Sequence, residues 1–168
     1  MIIEIREDLV IDELSSKTKD EVIKEIASKF KKAGVVKDKN EFIEALLARE
    51  KIESTAIGGG IAIPHARSDT VGRLTVGLGR SKEGVNFDSL DGKPTNLIFI
   101  IASPANVKKG YLQILARIAR ICKNNKTREA LINAKNKHEI LGFIKGFNIG
   151  LGRPEEIKLK KGRTVYPK

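Results

Sequence analysis

Apolar residues recur every three to four positions in TKDEVIKEIASKFKKAG, residues 18 to 34. Val22, Ile23, Ile26, Ala27 and Phe30 fall on one face, which predicts an amphipathic helix. Thr18 and Glu21 have capping-box spacing, and Gly34 suits the C-terminal cap. DKNEFIEALLARE, residues 38 to 50, repeats the pattern. Asp38 is its cap, Glu41 follows three residues on, and Phe42, Ile43, Leu46 and Leu47 face inward. In RLTVGLGRS the alternation of Leu74, Val76 and Leu78 predicts a half-buried strand. NLIFIIAS, residues 96 to 103, is almost continuously apolar, as in a strand covered on both faces. KKGYLQILARIARICK is the strongest amphipathic helix, with Leu112, Leu115, Ile118, Ala119 and Cys122 expected inward. TREALINA and KHEILGFIKGF read as two short helices.

Helices and strands therefore alternate. That order predicts an α/β fold, a single mixed β-sheet flanked by helices on both faces. No internal repeat and no dividing linker is visible. Residues 1–148 read as one domain and 149–168 as a basic, Gly- and Pro-punctuated tail.

Composition narrows the classes of function. Aromatic residues make up only 5% of the chain and tryptophan is absent. A stacking platform for single-stranded nucleic acid is thereby disfavoured. The formal net charge of +11 admits anionic partners. Apart from KLKKGR at 158 to 163, however, the charges read as spread out. A solvated lysine-rich surface is the favoured reading over a nucleic-acid footprint. The single cysteine, Cys122, excludes an internal disulfide, and no CxxC or zinc constellation occurs. Cys122 shares a helical stripe with Leu115 and Ile118 and reads as a small buried hydrophobe. The N-terminus MIIEIREDLV lacks the character of a signal peptide. The apolar run LIFIIA is far too short to cross a bilayer. A soluble, cytoplasmic protein is expected.

Candidate chemistry concentrates in STAIGGGIAIPHARSD, residues 54 to 69. Three readings are open. Gly58, Gly59 and Gly60 can bring backbone N–H groups to an anion. A nucleotide loop is nonetheless disfavoured, because GxxxxGK[ST] and GxGxxG are absent. His65 can act as a nucleophile, since imidazole near its ordinary pKa of about 6.5 is largely neutral at neutral pH. Pro64 fixes φ just before it and biases Ile63 towards an extended conformation. The third reading is a structural surface histidine after a turn. His138, at the start of a helix, takes that structural reading.

The segment EKIESTAIGGGIAIPHA, Glu50 to Ala66, resembles the signature of the phosphotransferase-system enzyme IIA domain of the fructose/mannitol class. Glu50, Ile57, Gly58, Ile61, Ala62, Ile63, Pro64, His65 and Ala66 fill its fixed places. The resemblance extends over residues 8 to 147 through FIEALLARE, NFDSLDGKPTNLIFIIASPA and YLQILARIAR. It implies a mixed sheet flanked by helices. It also implies that His65 accepts a phosphoryl group from the phosphocarrier HPr and passes it to an enzyme IIB. In the regulatory variant of the family, phosphorylation instead controls partner binding. Neither metal nor nucleotide cofactor is implied. The matched "RE" dipeptide places Arg49 at the phosphohistidine. Gly59 and Gly60 are expected at the phosphate. Ser54 and Thr55 either bond the imidazole or phosphate or serve as buried caps. Where many members have a second histidine, this chain has Tyr111, which can donate a hydrogen bond but carries no charge. Lys108 and Lys109, just upstream, are candidate sources of that charge. A basic binding module on the same fold, without the chemistry, is the remaining alternative.

Overall fold

The computed structural model describes residues 5–151. The elements run β1 (Ile5–Ile11), α1 (Lys19–Lys32), α2 (Lys39–Ile52), β2 (Ala56–Gly58), β3 (Ile61–Ala62), β4 (His65–Arg67), β5 (Thr75–Val85), β6 (Thr95–Ser103), α3 (Lys109–Lys123), α4 (Asn125–Ile132) and α5 (Lys137–Leu151). The tail expected at 149–168 starts inside α5, and from residue 152 on, KLKKGR included, it lies outside the described residues. No helix among them is long and apolar enough to cross a membrane.

The strands form one six-stranded mixed sheet in the order β1-β5-β6-β3-β2, with β4 also pairing β6. β5 and β6 run antiparallel, whereas β1 is parallel to β5, and β3 and β4 are parallel to β6. The apolar run in β6 feeds two cores. Ile98, Ile100 and Ala102 pack under α1 and α2, while Leu97, Phe99 and Ile101 pack under α3, α4 and α5. Strand side chains alternate between faces, so a strand covered on both sides must be apolar throughout.

Both predicted helix starts are capped as expected. The Glu21 amide donates to Thr18 Oγ1 at 3.4 Å, and the Glu41 amide to Asp38 Oδ1 at 3.1 Å. Three expectations need correction. First, β5 is not half-buried: Thr75 through Ser81 are all buried. Its second face carries Gly77 and Gly79 between two buried hydroxyls, Thr75 and Ser81. A Cβ on Gly77 would lie 2.8 Å from the Phe30 ring, and one on Gly79 2.8 Å from Ile26 and Leu14. The missing side chains let α1 settle onto the sheet. Second, the inward face of α3 is Ile114, Ile118, Ile121 and Cys122, and Leu112 is 60% exposed. In the first turn of α3 it is Tyr111 that packs against the core, and Leu112 beside it faces outward. Third, the basic charge is not evenly spread. Residues 104 to 137 carry nine Lys and Arg against Glu129 alone, and they form much of the α3–α4 side. None of the ion pairs among the described residues comes from that stretch.

Cys122 is buried, and burial pushes its thiol pKa up to about 12. It is a core residue without thiolate reactivity. His138 is exposed at the start of α5.

Candidate active site

The approach to His65 is built by backbone constraints. Gly58, Gly59 and Gly60 all have positive φ, between 65° and 94°. They turn the chain from β2 into antiparallel β3. Such angles are costly for residues with a Cβ. Pro64, which has no N–H, separates β3 from β4. The Ile63 amide bonds to the Thr55 carbonyl at 3.0 Å, and the Pro64 carbonyl accepts from Ile101 at 3.0 Å. β4 then pairs with β6 alone, placing His65 opposite Ile101.

His65 lines an open cleft of about 460 Å³. One wall is α2, through Ala45, Ala48, Arg49 and Ile52, and the other carries Tyr111 at the start of α3. Ala45, Ala48 and Ile52 recur at helical spacing, and the two alanines keep that wall low. His65 is 9% exposed. Its Nδ1 lies 2.8 Å from the Ile63 carbonyl oxygen. A carbonyl can only accept, so in the neutral ring Nδ1 holds the proton and Nε2 the free lone pair. Burial pushes the pKa below histidine's ordinary 6.5. The Ile63 carbonyl works against that lowering, the Arg49 guanidinium adds to it, and Glu50 opposes it. The ring is therefore neutral at pH 7.

Arg49 is anchored by Nη1 donating to the Glu53 carbonyl at 2.9 Å. It pairs with no carboxylate among the described residues, which leaves its other N–H groups for the cleft. Glu50, the second half of the "RE" dipeptide, turns away from the cleft. It is 7% exposed and forms an ion pair with Lys19 at 2.7 Å. It also accepts from the Thr55 amide at 3.2 Å and from the Thr55 hydroxyl. A buried carboxylate needs such partners.

Not all the candidate residues converge on His65. His65, Arg49 and Tyr111 share the cleft, with the Tyr111 ring 5.4 Å from the His65 ring. Ser54 and Thr55 do not line it. The Ser54 hydroxyl donates to the Phe87 carbonyl at 2.8 Å, and that of Thr55 is held by Glu50. Of the two roles open for these residues, the buried tie is the one observed. Gly59 and Gly60 lie at the far end of the hairpin. Ile61 pairs with Leu97 and His65 with Ile101, a separation of roughly 13 Å along β6 at about 3.3 Å per residue. The Gly59 amide donates to an Asp91 carboxylate oxygen at 3.0 Å. It already has an anionic partner, and the glycines serve the turn.

The sequence reading missed Arg67. It lies two residues beyond His65 on β4, lines the same cleft, and its guanidinium carbon sits 5.7 Å from the Tyr111 ring centroid. The available signal was strand alternation, which puts residues i and i+2 on one side. Lys108 and Lys109 are exposed and do not line the cleft.

Residues 4–146 match the family model described as phosphoenolpyruvate-dependent sugar phosphotransferase system, EIIA 2. The fructose-specific EIIA component of Haloferax volcanii is 42% identical over 108 residues, covering 64% of this chain and 70% of that protein. The fructose-specific EIIABC component of Bacillus subtilis is 38% identical over 131 residues. That match covers 78% of this chain, which spans only 21% of the longer relative. Among solved structures, the nitrogen regulatory protein IIA-Ntr from Neisseria meningitidis has a TM-score of 0.77 at 29% identity. The match covers 83% of this chain and 95% of that one.

Proposed function

The chain belongs to the phosphoenolpyruvate-dependent sugar phosphotransferase system EIIA 2 family, and from that premise we propose that it is a phosphoryl carrier. It accepts phosphate on His65 from a phosphorylated HPr-type protein and passes it to an enzyme IIB. The observation that carries this reading is the 2.8 Å contact of His65 Nδ1 with the Ile63 carbonyl. It presents Nε2, neutral and unprotonated, to an open cleft beside Arg49.

The Nε2 lone pair attacks phosphorus, the Nε2–P bond forms, and the bond from phosphorus to the donor breaks. The ring then bears a substituent on each nitrogen and carries positive charge. The Ile63 carbonyl dipole stabilises that charge through Nδ1–H. Arg49 meets the phosphoryl oxygens with charge-assisted hydrogen bonds. Positioning and charge stabilisation are the main demands of phosphoryl transfer, and these groups meet both. Attack by the acceptor on the phosphohistidine reverses the step, giving ping-pong kinetics.

The test is transfer from phosphoenolpyruvate through purified enzyme I and HPr, read by intact mass. One acid-labile phosphoryl group per chain is expected. No mass gain with a competent HPr would overturn the carrier reading and favour a binding module. The regulatory variant rests on the match to a IIA-Ntr fold over 83% of this chain. Phosphate that reaches HPr and this chain but no sugar-specific enzyme IIB would select it.

Two further outcomes follow from the geometry. Arg49→Ala should fold normally and accept phosphate about 10²–10³-fold more slowly, the usual loss for one preorganised electrostatic donor. A thermal melt beside the rate assay separates this from a structural role. The pH profile follows from the lowered pKa of His65. Acceptance should fall as pH drops and Nε2 becomes protonated, with its midpoint below 6.5. In the unfolded chain histidine titrates near 6.5. Unfolded protein thus takes up the proton first, and His65's contribution to stability is lost as pH falls below 6.5. A rate profile with its midpoint above 6.5 would contradict the buried neutral ring.

A further inference from the structure

We propose that Arg67 is a second phosphoryl-contacting residue, parked beside His65 on the face of Tyr111. The inference rests on the carrier reading of His65 and adds a residue to it.

The argument begins with charge. A phosphoryl group on Nε2 brings two negative charges into a cleft whose walls are largely alanine, isoleucine and tyrosine. Arg49 offsets one of them from the α2 side. Glu50 and Lys19, just behind, neutralise each other at 2.7 Å. The remaining cationic group lining this cleft is Arg67. It approaches from the opposite wall, so the two guanidinium groups flank the position the phosphoryl group takes.

Arg67 is also available. Its side chain is exposed and makes no ion pair or hydrogen bond among the described residues. What it has instead is the Tyr111 ring, 5.7 Å from the guanidinium carbon, and that ring stands 5.4 Å from His65. An aromatic face attracts a guanidinium without consuming its N–H donors, as a carboxylate would. All five donors remain free for phosphoryl oxygens. Tyr111 is then a positioning residue, acting through its ring.

The experiment compares wild type, Arg67→Gln, Arg67→Lys, Tyr111→Phe and Tyr111→Leu with two donors. One is phosphorylated HPr. The other is phosphoramidate, whose P–N bond breaks as the Nε2–P bond forms, ammonia leaving. Melting temperatures are measured for each variant. The expected result is that Arg67→Gln melts like wild type and slows acceptance from both donors about tenfold or more, the loss expected for a partly exposed electrostatic contact. Arg67→Lys should recover part of the rate. Tyr111→Phe, which keeps the ring, should retain more of the rate than Tyr111→Leu, which should fall towards Arg67→Gln.

A loss seen with HPr but not with phosphoramidate would make Arg67 a docking contact and overturn the proposal. Unchanged rates with both donors would overturn it as well. A Tyr111→Phe variant as slow as Arg67→Gln would show that the hydroxyl matters, and would overturn the positioning role of the ring. His65→Ala serves as the control on the underlying reading. If it is still phosphorylated, the carrier assignment has failed, independently of Arg67.

Discussion

His65→Ala is expected to accept no phosphoryl group from phosphorylated HPr, with the rate falling to background in an intact-mass assay. The size of the effect follows from the chemistry. Without Nε2 there is no atom in the cleft to form the covalent intermediate, and positioning by Arg49 cannot replace a missing nucleophile. The other histidine, His138, is exposed on α5 and does not line the cleft. His65→Gln tests the same point while keeping a polar side chain of similar size. Both variants should melt close to wild type, because the ring's one hydrogen bond is to the Ile63 carbonyl beside it. Residual stoichiometric phosphorylation of either variant would place the acceptor elsewhere.

Arg80→Met carries the largest expected effect on stability. Arg80 is 2% exposed, the largest fully buried side chain of the described residues. Its Nε donates to the Asp12 carbonyl at 2.6 Å, and Nη1 reaches the carbonyls of Ile132 at 3.0 Å and Ala134 at 2.6 Å. One guanidinium thus ties the end of β1 and the end of α4 to β5. The last carbonyls of a helix have no partners within it. Removing the guanidinium leaves several buried acceptors unsatisfied, at about 1–3 kcal/mol each. A loss of roughly 3–5 kcal/mol is expected, read by urea denaturation. In a domain of this size it should lower the melting temperature by about 10 °C. Arg80→Lys should recover little, since an ammonium cannot match the planar fork. Phosphoryl acceptance at low temperature should be unchanged, because Arg80 does not line the cleft. A loss below 1 kcal/mol would mean that water satisfies the carbonyls.

Much of the architecture could be read from local pattern. The caps at Thr18 and Asp38, the apolar faces of α1 and α2, and the two-sided strand at 96 to 103 depend on spacing along the chain, and spacing is what a sequence displays. The signature around His65 could be read for the same reason. Its parts are contiguous, and Pro64 and the glycines constrain the backbone wherever they occur.

What escaped was set by neighbours distant in sequence. β1 was not foreseen, since its pairing with β5 joins residues some seventy positions apart. The role of the β5 glycines depends on α1, whose Phe30 and Ile26 pack on them. Nothing local in the sequence marks Arg80, because the carbonyls that hold it come from other elements.

The sequence by itself determined the fold class, the starts of α1 and α2 and the candidate histidine. Each depends on residues within one or two turns of chain. Only the tertiary structure decided which candidates share the cleft with that histidine. Sheet register carries Gly59 and Gly60 away from His65, whereas strand alternation brings Arg67 to it. The hydroxyls of Ser54 and Thr55 are drawn off by Phe87 and Glu50. Folding places side chains by the partners they bury against, and those partners are not adjacent in the sequence.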